Sequence, residues 1–239
     1  MEQYKNAHKW LIIPFVITVV AFFPSYYMRF TDAHWGLHIH GISATLWYML
    51  VIYQPYLIQK KNIQRHRLFG MFGLFLAGLV AASALTMIPG NIAGAERQLT
   101  SGDISPIAPP FFLYGVSLYD LIAILGFSVS VMMAIKHAKS LHDHVMWMIS
   151  TVFWVFMPAL ARLALFPMFA SGNITHFANL AMIVTPLILL SILVIMYRLK
   201  SYHPALIAAF AGNLLSYIIV PLGMSKWWVA FATILFTSK

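Results

Sequence analysis

Residues 111–135 read FFLYGVSLYDLIAILGFSVSVMMAI, a run with one charged residue, Asp120. At about 1.5 Å per residue, a helix over this stretch is longer than the roughly 30 Å hydrocarbon core of a bilayer. Uncharged runs of about 18 or more read as membrane spans rather than buried soluble helices. Similar runs cover Trp10–Tyr27, Leu37–Ile58, His66–Ile88, His144–Pro167, His176–Leu199 and Pro204–Leu222. A last run, Trp227–Phe236, is short for a span and opens on paired Trp, which suits an interfacial helix or half of a helical hairpin. The expected fold class is all-α: a polytopic transmembrane bundle in one domain, residues 1–239. It has seven spans plus a short C-terminal apolar helix, or eight spans if that helix crosses.

Composition agrees. Charged residues are 9% of the chain and hydrophobic ones 61%, against roughly 25% and 45–50% in soluble domains. The formal charge of +9 reflects scarce acids: Glu2, Asp32, Glu96, Asp103, Asp120 and Asp143 are all there are. Its cations lie in short loops, so anionic lipid and orientation explain the charge better than nucleic acid does. With no Cys, disulfides, thiolate metal sites and iron–sulfur clusters are excluded. The run Leu11–Phe23 is followed by Pro24, Ser25, Tyr26 and Tyr27 rather than a small-residue cleavage site, and reads as a retained span.

Lys5 and Lys9 precede the first span, and Lys60, Lys61, Arg65 and Arg67 separate the second from the third. Lys136 and Lys139 follow the fourth, and Arg198 and Lys200 the sixth, whereas alternate loops hold only Arg29, Arg97 and Lys226 before the terminal Lys239. By the positive-inside rule the N-terminus is cytoplasmic. The segment Asn91–Pro110, rich in Gly, Ser and Pro, is then an external loop, either an ordered cap or a lid. Gly70, Gly73, Ala77, Gly78, Ala81 and Ala82 make a small-residue stripe that suits close helix packing or close approach of a flat cofactor.

The ten histidines fall into two layers. His34, His38, His40 and His176 lie towards the outer side; His8, His66, His137, His142, His144 and His203 lie towards the inner side. About a bilayer thickness separates the layers, so they cannot form one site. This weighs against a membrane di-iron centre, whose His boxes must converge. A hydrolytic zinc site would have few carboxylates, Asp143 inside and Asp32 outside.

His66 and His144 open alternate spans and can face each other as axial ligands of a b-type haem. His142 and Asp143 would orient the ligands, and Arg65 and Arg67 would meet the propionates. The plainer reading makes these histidines headgroup-level polar residues in basic loops. In the outer layer His40 opens the second span, and Gln54 lies 14 residues deeper on about the same face. Asp120 and Arg162 are charges inside spans, which usually face a partner or a cavity. With His38, His40 and His176 they can bind a metal or an anionic substrate.

Four elements in order carry a resemblance. His40 with Gln54, His66-Arg67-Leu68-Phe69-Gly70, His144-Val145-Met146-Trp147-Met148-Ile149, and Arg162 placed 15 residues after Trp147 resemble the domain of unknown function 2306 family of bacterial multi-pass membrane proteins, over about residues 37–165. The chain departs from that pattern at Met71, Val145, Met146 and Ser150, where basic residues are expected. The resemblance implies a bacterial inner-membrane protein and marks His40, Gln54, His66, His144, Trp147 and Arg162 as positions to test. A looser architectural likeness is to transmembrane cytochromes b.

Three functions follow. The first is a membrane redox protein with a haem b or transition metal at His66 and His144, or at His38 and His40, exchanging electrons with a quinone or a membrane redox partner. Its outer polar site (His40, Asp120, Arg162) would take a second cofactor or substrate. The second is a metal or small-molecule transporter, for which fourteen Met and the in-span Pro14, Pro158 and Pro186 can be cited. The third is a non-catalytic subunit of a membrane complex.

Overall fold

The computed structural model describes residue 4, residues 6–171 and residues 177–237. Every regular element among the described residues is helical. The helices are α1 (Ala7–Phe22), α2 (Trp35–Gln59), α3 (Ile63–Leu85), α4 (Ile88–Ser101), α5 (Pro110–Lys136), α6 (Leu141–Ser171), α7 (Phe177–Leu199), α8 (Pro204–Leu214), α9 (Ser216–Gly223) and α10 (Lys226–Thr237). A π-helical turn, Phe23–Tyr27, prolongs α1.

Local chemistry sets several of these boundaries. Asn62 caps α3 by accepting from the Arg65 amide at 3.1 Å. Proline opens α5 and α8, where its missing N–H costs nothing. Gly102 ends α4 with a left-handed φ of 75°.

Among the described residues, four helical stretches are long and apolar enough to cross a membrane: Ala7–Tyr27, Ile63–Ser101, Pro110–Lys136 and Leu141–Ala164. The second expected span, α2, is 25 residues long but falls outside this set; it carries His38, His40, Ser43, Thr45 and Gln54. The seventh is divided at Leu215 into α8 and α9, although Leu215 itself keeps helical backbone angles and donates to the Ala211 carbonyl. The expected external loop Asn91–Pro110 is mostly α4, with only residues 102–109 irregular. Its Ile88, Ile92 and Ala95 recur at helical spacing and are buried, a signal that the Gly and Pro content masked.

α5 packs against α3, α4, α6, α8 and α9; α6 also meets α1, α7 and α8, and α2 joins α1 to α3. The Trp154 indole lies across Gly126 of α5 and Gly212 of α8, and a Cβ at either glycine would overlap the ring. Its N–H donates to Ser130 Oγ at 3.1 Å. Nearby, Asn213 is fully buried and ties three helices: it accepts from Tyr119 at 3.0 Å and donates to the Phe153 and Ala209 carbonyls. The outward surface is apolar, with Phe75 77% exposed.

A smaller core joins Ile88, Ile92 and Ala95 of α4 to Tyr114 of α5 and to Trp228 and Ala232 of α10. The short C-terminal helix is therefore docked. Trp228 donates to the Tyr114 carbonyl at 2.8 Å. Trp228→Phe keeps a ring but loses this donor, costing about 1 kcal/mol; we expect faster protease cleavage at the C-terminus with unchanged helical circular dichroism.

Candidate functional site

The residues of interest gather at two ends. At the end bearing Lys60, Lys61, Arg65, Arg67, Lys136 and Lys139, His66 and His144 meet with ring centroids 6.3 Å apart and planes at 75°. Each sits in the first turn of its helix, and both helices pack on α5. His144 donates from Nδ1 to the Ala134 carbonyl at 2.8 Å, which leaves its Nε2 lone pair free to coordinate. His66 Nδ1 is buried without a hydrogen-bond partner.

Gln54 joins this pair. Its main chain lies beside the His66 ring, and its Nε2 is 3.7 Å from the place a Cβ on Gly70 would take. Gln54 Oε1 is also buried and unsatisfied. Two orphaned polar atoms in one patch are uncommon and suggest an absent partner. The small-residue stripe divides here: Gly73 and Ala77 are buried, whereas Gly70, Gly78 and Ala82 face outward.

His142 and Asp143, expected to support His66 and His144, instead bond to other residues. His142 meets Tyr4 Oη at 2.6 Å and Ser201 Oγ at 3.0 Å. His203 accepts from the Ala205 amide on Nδ1 and donates from Nε2 to Asp143 at 3.3 Å. The His142 and His203 rings are 5.6 Å apart, and Trp147 meets His203 edge-on at 5.7 Å. Consecutive residues on a helix point about 100° apart, so when His144 faces α5 its predecessors must face elsewhere. Sequence reading missed this network; a His directly before a helix-opening Pro was its available signal, as a cap.

Burial holds the His203 imidazole below its ordinary value, with Asp143 pulling the other way. A histidine whose folded pKa is depressed contributes stability above its unfolded pKa of 6.5 and loses it as pH falls through the folded value. Thermal unfolding between pH 7.5 and 5 tests this. The wild type should lose stability below about pH 6.5, and His203→Asn, which keeps a capping oxygen, should lose less.

At the other end His40 bonds Ser83 Oγ of α3 at 3.2 Å. His38 turns away to Tyr26 Oη at 3.4 Å and meets the Phe30 ring at a tilt of 55°. His38 and His40, two residues apart on α2, thus point to different partners. Arg162 donates to the Pro158 carbonyl at 3.1 Å and lies over the Phe22 ring at 4.4 Å. Asp120 and His40 lie within its electrostatic reach. His176 lies outside the described residues.

Among the described residues no group of three or more His, Cys, Asp or Glu side chains is arranged to hold a metal. Two imidazoles are few for a tetrahedral zinc site, but they are the full axial set for a metal whose other positions a macrocycle fills. No protein-family model, curated protein or solved structure matches the chain.

Proposed function

We propose that the chain is an integral membrane redox protein that holds a haem b between His66 and His144. The spacing of that pair is the supporting observation. Their ring centroids are 6.3 Å apart, and these two imidazoles would hold the iron. The donated Nδ1 hydrogen of His144 fits the same reading, because it leaves Nε2 for the metal. Arg65 and Arg67 would meet the propionates. A haem so held supplies one-electron transfer.

In this reading the chain has seven spans and a docked C-terminal helix, with the basic loops cytoplasmic in a bacterial inner membrane. The cluster of His40, Asp120 and Arg162 takes a second cofactor or substrate at the other end. An absorption spectrum with elemental analysis of protein purified from haem-replete cells tests the proposal. A Soret band with iron bound to the chain is expected; protein free of haem and metal would sink it.

A further inference from the structure

Between the end of α1 and the start of α2 the chain folds around a polar pocket of about 350 Å³, lined by Ser25, Arg29, Asp32, Ala33 and Leu37. Ser25 stands in the π-helical turn that prolongs α1. Arg29 precedes and Asp32 closes a 3₁₀ turn, in which the Asp32 amide donates to the Arg29 carbonyl at 3.0 Å. Residues three apart in such a turn stack on one side, so a guanidinium and a carboxylate line the same pocket. Among the described residues no ion pair joins the two. Asp32 accepts from the Thr31 hydroxyl at 3.3 Å, which leaves most of a carboxylate's roughly four acceptor positions open. Ser25 Oγ has only a long bond, 3.5 Å, to the Phe22 carbonyl.

These charges decide what fits. A phosphate alone would meet Arg29 but set its own charge against Asp32, and a cation alone would reverse the conflict. A ligand carrying both a phosphate and an ammonium satisfies both walls. The ammonium should be primary, because it then has three N–H donors for the carboxylate, whereas a quaternary one has none. Position supplies the source. The apolar stretch Ala7–Tyr27 ends two residues before Arg29, which sets the pocket at headgroup level. Phe23, Met28, Phe30 and Trp35 of the same segment are exposed, as aromatic and apolar anchors at a membrane interface are. At about 30 Å³ per water the pocket has the space of roughly a dozen waters. That admits a phosphoethanolamine group and leaves the acyl chains in the bilayer.

We propose that this pocket binds the headgroup of phosphatidylethanolamine, its phosphate on Arg29 and Ser25 and its ammonium on Asp32. The site is separate from the histidine pair and needs no bound haem. The full chain in detergent is mixed with equal amounts of dioleoyl phosphatidylethanolamine, phosphatidylcholine and phosphatidylglycerol, and bound lipid is counted by native mass spectrometry.

The wild type should favour phosphatidylethanolamine over both competitors. Asp32→Asn should lower its binding about fivefold, the upper range for an exposed charge pair, and leave phosphatidylcholine unchanged. Arg29→Gln should lower both lipids about fivefold, since both carry the phosphate. Ala33→Phe, which fills the pocket without changing its charge, should lower both as well. Arg97→Gln, an exposed cation elsewhere, should change neither. Arg29 and Asp32 are exposed, so these variants should keep the wild-type helical circular dichroism. Equal phosphatidylethanolamine binding in wild type, Arg29→Gln and Asp32→Asn overturns the site. Equal binding of phosphatidylcholine and phosphatidylethanolamine by the wild type overturns the ammonium contact and the proposal with it. Displacement of the lipid by an equal concentration of soluble phosphoethanolamine makes this a site for a free zwitterion and also overturns it.

Discussion

His66→Ala and His144→Ala are each expected to abolish the Soret band of the purified protein, with bound iron falling at least about tenfold. Both imidazoles are needed, because among the described residues no third ligand group is available to compensate. The two variants should separate in stability. His144 satisfies the Ala134 carbonyl in the last turn of α5, so its loss orphans an acceptor and costs about 1–3 kcal/mol. His66 Nδ1 has no partner to lose. In cofactor-free protein, His66→Leu should therefore cost less thermal stability than His144→Leu. A Soret band of full height in both Ala variants would falsify axial ligation by this pair.

Gly212→Ala and Gly126→Ala are each expected to destabilise the bundle by about 1–3 kcal/mol, the usual cost of overpacking. The added Cβ meets an indole pinned from both sides, which cannot rotate away without breaking its bond to Ser130. Trp154→Leu in the Gly212→Ala background should restore part of the loss, giving a favourable coupling in a double-mutant cycle of denaturant unfolding in detergent. Strict additivity would show that α5, α6 and α8 do not meet through this ring.

Much of the helical plan is legible in the sequence because apolar run length and loop charge are local properties. Phe111–Ile135 and α5 nearly coincide, and His66 and His144 open α3 and α6 as their place after basic loops implies. The failures have a common origin. α4 was hidden by its Gly and Pro content although Ile88, Ile92 and Ala95 keep helical spacing. Within the run Pro204–Leu222 the apolar pattern hides Asn213, whose side chain bonds to α5, α6 and its own helix.

Apolar run length and loop charges thus determine by themselves that the chain is all-helical, that several of its helices are apolar enough to span, and that histidines stand near helix ends. They do not determine where those histidines point. Tertiary packing decided that His144 turns to α5 and His66 while His142 and Asp143 turn to Ser201 and His203. It also drew Gln54 to His66 rather than leaving it with His40. The physical reason is rotational: a helix carries each neighbour about 100° around its axis, and only the packing of α5, α6 and α8 selects that rotation.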